Sequence, residues 1–272
     1  MPIFDACIIT APDERQARVF ERLIARRREH GLYPREISFL VYPDPPRGRV
    51  GSGGGTLWAL YQYAAQLEGL RSSPAEWISG GGPERARRLL KDKRILLLHA
   101  GGESRRLPAY YPEAKLFAPV PAASSSVVQP VVLDQELSLF FRYPWRDGEL
   151  IVASGDVIVD FETELLSLES APLCGFAAPA QLEQGARHGV FVFDPATGRV
   201  RDYLQKADVK TIEDEGRIEG TELCAIDLGI VAFRDRGLDA LLDLMATVEN
   251  GASVLELVSK GTFICDLYLE LL

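Results

Sequence analysis

An apolar run from Arg94 to Leu98 feeds directly into His99-Ala100-Gly101-Gly102-Glu103-Ser104-Arg105-Arg106-Leu107-Pro108, and Lys115 comes next in Lys115-Leu116-Phe117-Ala118-Pro119-Val120. The apolar run reads as a buried strand. Its paired glycines let backbone N–H groups approach an anion, and the Arg and Lys side chains bring fixed positive charge to the same loop. A strand that ends this way reads as the central strand of an α/β sheet carrying a phosphate-handling loop. A Gly-Gly turn with surface arginines also occurs for reasons of chain geometry alone, so the reading depends on the segments C-terminal to Lys115.

Three of those segments support it. Ile151-Val152-Ala153-Ser154-Gly155-Asp156 is an apolar strand that delivers a carboxylate at its C-terminal end, where open parallel sheets place ligands, so Asp156 is a candidate metal ligand. His188 to Phe193, a turn over Asp194 to Gly198, and Val200 to Leu204 read as a hairpin that closes on Gln205-Lys206. Ala225-Ile226-Asp227-Leu228-Gly229-Ile230-Val231 is a further strand, with a carboxylate two places before a glycine.

Together these motifs resemble the sugar-1-phosphate nucleotidyltransferases, in which a strand leads into a Gly-Gly loop, then Arg-Leu-x-Pro, then a Lys before Pro-Val. Within that superfamily, Gly51-Ser52-Gly53-Gly54-Gly55-Thr56 upstream of the His99 to Pro108 motif is similar to the paired motif of the fucose-1-phosphate guanylyltransferases. These include the nucleotidyltransferase part of bifunctional fucokinase/GDP-fucose pyrophosphorylases. The long lead before the loop, Val132-Leu133-Asp134-Gln135, and Glu103-Ser104 in place of the common Gly-Thr also fit that branch.

The resemblance implies an α/β, Rossmann-like nucleotidyltransferase fold: a mixed, mainly parallel sheet flanked by helices. It implies formation of GDP-L-fucose and pyrophosphate from GTP and L-fucose-1-phosphate, with Mg²⁺ as cofactor. Arg106 would grip the leaving phosphates, since a guanidinium holds two oxygens at once. Arg105 is its neighbour, and one of the pair points inward; Leu107-Pro108 after Arg106 favours the latter. Lys115 would face the α-phosphate, and Lys206 the phosphate of the sugar. Ala100, Gly101, Gly102 and Ser104 would cradle the nucleotide phosphates, and Gly53, Gly54 and Gly55 would shape the nucleotide pocket. His188, Gly189, Gln205, Lys206 and Asp227 would meet the sugar. Asp156 and Asp227 would hold the metal, Asp227 being divided between metal and sugar. Two alternatives stand beside this: a pyrophosphorylase for another sugar-1-phosphate, or a non-catalytic module that binds a nucleotide sugar.

Composition frames these expectations. A chain of 272 residues that is 47% hydrophobic can bury a full core. A formal net charge of -9 argues against nucleic acid or an anionic membrane as partner, leaving small-molecule substrates held by a local basic cluster. Cys7, Cys174, Cys224 and Cys265 are widely spaced in apolar contexts and form no Cys-x-x-Cys pair, which reads as buried thiols in a reducing compartment. The N-terminus shows no charged-then-apolar segment, and no apolar run approaches the roughly 18 residues of a membrane span, so the expected location is cytoplasmic.

The expected organisation is a single nucleotidyltransferase domain over 1–272, with a lead over 1–93 and a nucleotide- and sugar-binding core over 94–272. Strands are expected at Ala6 to Thr10, Ile37 to Val41, Glu149 to Ser154 and Leu173 to Ala177. A helix opening at Pro12-Asp13-Glu14 carries an apolar stripe of Ala17, Phe20, Leu23 and Ile24, and six arginines from Arg15 to Arg28 coat its solvated face. Gly51 to Gly55 reads as a loop before a helix bearing Leu57, Leu60, Tyr61, Ala64 and Leu67, with Thr56 as its cap. Ser72 to Lys91 reads as a linker with one short helix, Ala122 to Ser126 as a mobile lid, Leu182 to Arg187 as a polar loop, and 237–248 and 263–271 as terminal helices. Full-length relatives carry more chain after this point, usually a repetitive β-solenoid and in bifunctional enzymes a sugar kinase. No period of solenoid length is visible, so the chain is expected to lack the C-terminal β-solenoid, as a natural short form or a cut-out domain that misses a solenoid or kinase partner.

Overall fold

The computed structural model describes residues 3–46, 48–100, 114–121, 127–155, 157–162, 168 and 171–267. The chain begins as wound α/β structure: β1 (Ala6–Ala11), α1 (Glu14–Glu29), β2 (Ser38–Pro43), α2 (Gly51–Glu68), α3 (Pro74–Ser79), α4 (Gly82–Leu90) and β3 (Ile95–His99). A 3₁₀ turn (Lys115–Phe117), α5 (Val132–Phe140) and β4 (Glu149–Ser154) come next. Then come β5 (Leu173–Gln181), α6 (Leu182–Gly185), β6 (Gly189–Phe193), β7 (Val200–Gln205) and the short α7 (Val209–Thr211), which runs into a π turn over Ile212–Gly216. The chain closes with β8 (Leu223–Arg234), α8 (Arg236–Ala246), β9 (Val248–Glu249), β10 (Ala252–Ser253) and α9 (Val254–Ser259).

Eight strands form one sheet in the order β2-β1-β3-β4-β8-β6-β7, with β5 paired to β8. The first four are mutually parallel, and the pairs made by β8, β5, β6 and β7 are antiparallel. The expected mixed sheet flanked by helices is therefore present, parallel over β2-β1-β3-β4 and antiparallel where β8, β5, β6 and β7 join. Thr10 lies opposite His99 and His99 opposite Ser154, so the carboxyl ends of β1, β3 and β4 meet at one edge.

Alternation along each strand sends successive residues to opposite faces. Ile8, Leu97, Val152 and Val231 join Leu57, Leu60, Trp77, Leu90, Leu242 and Leu255 on the face covered by α2, α3, α4, α8 and α9. Ile9, Leu96, Leu98, Ile151 and Ala153 join Phe20, Ile24, Leu133 and Leu137 on the face covered by α1 and α5. Burial on both faces is why these strands read as continuous apolar runs. β1 sits between β2 and β3, so the residues before 94 belong to the same sheet and core as those after.

Several local expectations are corrected. Gly51 to Gly55 is the start of α2 itself and not a loop, and Thr56 is a buried residue inside the helix, donating to the Ser52 carbonyl at 2.9 Å. Leu67 is 40% exposed and lies off the buried stripe. Ser72 to Lys91 is no linker: α3 and α4 bury Trp77, Ala86 and Leu90 in the core. Arg27 leaves the solvated arginine face of α1, being 3% exposed. Its guanidinium donates to Asp134 Oδ1 at 3.1 Å, and Tyr33 Oη donates to the same oxygen at 2.6 Å. β5 is only half covered, with Phe176 and Ala180 its buried residues. Leu182 to Gly185 forms a short helix, and residues 262–266 run without helix. Ala122 to Ser126 lies outside the described residues. All four cysteines are free thiols.

Candidate active site

β8 changes partners along one of its edges. Val231 pairs with both Gly175 and Val152, and Ala225 with both Pro179 and Phe191, so β4 and β6 lie on the edge opposite β5. β4 reaches Ile230 and β6 begins at Ile226. Asp227, Leu228 and Gly229 face the gap between them, and Gly229 takes a left-handed backbone (φ 69°) that a side chain would disfavour. A cleft of about 420 Å³ fills that opening, lined by Ser154, His188, Gly189, Tyr203, Gln205, Lys206, Asp227 and Asp266 among others.

Asp227 is held from two sides. Its Oδ1 accepts the Gly229 N–H at 2.7 Å, and its Oδ2 accepts the Tyr203 hydroxyl at 2.9 Å. Burial raises its pKa above the ordinary carboxylate value; the bonds from Gly229 and Tyr203 oppose this, Asp266 adds to it and His188 works against it. Burial and the Asp227 charge also raise the Tyr203 phenol, so the tyrosine stays a donor. A Cβ on Gly189 would collide with Tyr203 Oη, and glycine at 189 is what lets the phenol reach across β6.

The hairpin of β6 and β7 pairs Gly189 with Gln205, and the Lys206 N–H bonds the His188 carbonyl at 3.0 Å. Lys206 adopts φ 51°, a left-handed conformation that costs a non-glycine residue about 1 kcal/mol and that concentrates at functional sites. His188, Gly189, Gln205, Lys206 and Asp227 thus share one cleft.

His99 stands at the end of β3, two residues before the Gly-Gly pair in sequence. Its Nδ1 is 3.3 Å from Thr10 Oγ1 and its Nε2 2.9 Å from Thr56 Oγ1. Burial holds its pKa down to about 4, so it is a neutral packing and hydrogen-bonding group. Gly55 faces its ring, where a Cβ would meet His99 Cε1 at 3.3 Å. The first turn of α2 is occupied from within the chain: the Gly53 and Gly54 N–H groups both point at the Cys265 carbonyl, at 2.9 and 3.3 Å. Gly53, Gly54 and Gly55 are buried and act here as close-packing positions, not as an open anion loop.

The same contact brings in a residue that sequence reasoning missed. Cys265 N–H bonds the Val50 carbonyl at 3.0 Å and Leu267 N–H bonds Ser52 Oγ at 2.8 Å, and Asp266 between them is carried into the cleft. Nothing local marks Asp266, because its position comes from docking on α2 rather than from a motif. Lys115 begins the 3₁₀ turn that buries Leu116 and Phe117. Leu116 packs against Gly155, whose N–H bonds the His99 carbonyl at 3.0 Å. Ala100 is buried at the end of β3. Gly101, Gly102, Ser104, Arg105, Arg106 and Asp156 lie outside the described residues. Among the described residues no helix is long and apolar enough to cross a membrane.

Comparison with known proteins agrees with this architecture. The family model of the fucose pyrophosphorylase domain matches residues 87–272. A bifunctional fucokinase/GDP-fucose pyrophosphorylase of Arabidopsis thaliana is 28% identical over 276 residues, which covers 96% of this chain and 26% of the plant protein. An L-fucokinase/L-fucose-1-P guanylyltransferase of Bacteroides fragilis is 32% identical over 207 residues, 73% of this chain and 20% of that protein. A fucose-1-phosphate guanylyltransferase of Homo sapiens is 29% identical over 196 residues, 71% of this chain and 29% of the human protein. The chain therefore spans between a fifth and a third of the length of these relatives. With the family model covering most of its length, this chain belongs to the fucose pyrophosphorylase domain family.

Proposed function

We propose that the chain transfers a guanylyl group from GTP to L-fucose-1-phosphate, forming GDP-L-fucose and pyrophosphate. The observation that carries the reading is the cleft at the β8 opening, where a fixed carboxylate, Asp227, and a strained lysine, Lys206, line one pocket of about 420 Å³ beside the end of β4. Such a pocket suits a small hydroxylated anion: the carboxylate accepts from hydroxyls and the ammonium meets a phosphate. The names of the relatives supply the sugar and the base.

In this reaction an oxygen of the sugar phosphate attacks the α-phosphorus of the nucleotide in line, and pyrophosphate leaves. Both reactants are polyanions, so alignment and charge neutralisation are the work required of the protein. Lys206 neutralises the incoming sugar phosphate, while His188, Gly189, Gln205 and Asp227 contact the sugar. Lys115 faces the α-phosphate, Arg106 takes the leaving phosphates, and Ala100, Gly101, Gly102 and Ser104 cradle them. The attacking oxygen is already anionic, so no general base is required.

Mg²⁺ fits the donor set as a hard cation that keeps several waters and needs only one or two carboxylates. Asp227 keeps lone pairs beyond its two hydrogen bonds, and Asp266 lines the same cleft. Asp227 and Asp156 would hold the ion, and its contribution would be to offset phosphate charge. Four free thiols suit a reducing compartment and support a cytoplasmic enzyme. The fucokinase in the names of two relatives supports a sugar-kinase unit as a working partner.

The test is pyrophosphate release with Mg²⁺, crossing GTP, ATP, UTP and CTP against L-fucose-1-phosphate and mannose-1-phosphate. Release confined to GTP with fucose-1-phosphate, and lost in Lys206→Ala, is expected. Release that favours another pair reassigns the substrate, and no release from a folded chain that binds GTP contradicts transfer.

A further inference from the structure

Asp44 is a carboxylate that the transfer chemistry leaves unused, and it stands at the same sheet edge as the carboxyl end of β3. It follows β2 directly, and its N–H bonds the Ala11 carbonyl at the end of β1 at 2.7 Å. Its side chain is directed toward α2: a Cβ on Gly55 would lie 3.9 Å from Asp44 Oδ1 and 3.3 Å from His99 Cε1, so one glycine separates the carboxylate from the imidazole. Among the described residues no hydrogen-bond donor reaches that carboxylate. Burial raises its pKa to about 6, and Arg49 opposes the shift.

Strand order says what such a group would meet. Across the carboxyl edge the sheet runs β2, β1, β3, β4, β8, so Asp44 lies two strands to one side of the end of β3 and the Asp227 cleft two strands to the other. Two strand spacings are about 10 Å. A nucleotide sugar has the same linear order of base, phosphates and sugar. A carboxylate repels phosphate, so the part of the ligand facing Asp44 must be uncharged and rich in N–H donors.

We propose that Asp44 reads the nucleobase edge, its two oxygens accepting the adjacent ring N–H and amino N–H that guanine presents, and so selects guanine over the other bases. This rests on the nucleotidyl-transfer reading above. Adenine and cytosine present a ring acceptor to the carboxylate, and uracil flanks its single N–H with two carbonyls, so each opposes a lone pair to Asp44.

Calorimetric titration of the full chain with nucleoside diphosphates tests this without turnover. GDP is expected to bind about tenfold or more tightly than IDP, which lacks the amino group, and than ADP. Asp44→Asn presents one acceptor and one donor, which complements xanthine, so it is expected to weaken GDP about tenfold and to strengthen XDP by a similar factor. Equal binding of GDP and IDP, or a GDP to XDP ratio unchanged in Asp44→Asn, overturns the proposal. Should the variant fail to fold, the comparison of GDP with IDP on the wild-type chain decides alone. A chain that binds GDP selectively but releases no pyrophosphate keeps the base reader and sinks the transfer reading, whereas transfer with equal use of GTP and ITP does the reverse.

Discussion

Tyr203 donates its hydroxyl to Asp227 Oδ2 at 2.9 Å, reaching from β7 across β6 to β8, through the space that Gly189 leaves by having no side chain. The bond orients the carboxylate at the floor of the cleft and favours its ionised form. A hydrogen bond to a charged group is worth about 1.5–3 kcal/mol. Tyr203→Phe is therefore expected to lower kcat/KM for the sugar phosphate by about tenfold or more and to move the acidic limb of the pH profile upward. Gly189→Ala should act in the same direction by displacing the phenol. Unchanged steady-state constants and an unmoved pH profile in Tyr203→Phe would remove the tyrosine from the site.

Burial works against a charge on Asp227, and stability should show it. Its pKa is raised in the folded state, so the native protein holds this proton more tightly than the unfolded chain, and stability is lost as pH rises through the raised value. Asn at 227 carries no such cost and can still accept from Gly229. Asp227→Asn is expected to melt higher than the wild type at neutral pH, with the gap closing below the ordinary carboxylate range, while its activity falls. Thermal unfolding of both proteins across that pH span checks the sign.

His99 has the opposite linkage. Burial depresses its pKa to about 4 from the ordinary 6.5. The stability this reflects is present above pH 6.5 and lost as pH falls toward 4, amounting to about 3 kcal/mol at the acid end. His99→Gln should flatten that slope in urea titrations carried out near neutrality and near the depressed pKa. An equal acid-dependent loss in the variant would place the titration elsewhere.

The fold is legible in the sequence where strands are buried on both faces, because β1, β3, β4 and the second half of β8 have almost no polar residue to interrupt them. The start of α2 is not, since Gly51 to Gly55 has neither a capping side chain nor helix propensity. It is helical because Cys265, more than 200 residues away, supplies the carbonyl that its first N–H groups need. Arg27 reads in sequence as one of six surface arginines, and only the fold sets Asp134 and the Gln129 carbonyl across from it. In the cleft, the Gln205-Lys206 hairpin end and the Asp227-x-Gly229 strand are readable as patterns. Tyr203 and Asp266 are not, one being an ordinary strand aromatic and the other placed only by tertiary docking.

The Arg27, Asp134 and Tyr33 network ties α1 to α5 beneath the sheet. Arg27 has 4% of its side chain exposed and Asp134 20%. Removing one partner of a buried pair costs about 3–5 kcal/mol, whereas an apolar replacement of both is often neutral. Arg27→Ala is expected to fall in that range by denaturant unfolding, and Arg27→Met with Asp134→Leu to recover part of the loss. A single-variant cost below about 1 kcal/mol would mark the pair as solvated.

The most direct test of the proposed transfer is phosphorus NMR of the wild-type chain with GTP, L-fucose-1-phosphate and Mg²⁺. The expected result is loss of the GTP and sugar-phosphate signals in step with the paired diphosphate resonances of a nucleotide sugar and the single line of pyrophosphate. GTP that stays intact, or that decays to GDP and inorganic phosphate without consuming the sugar phosphate, would contradict it.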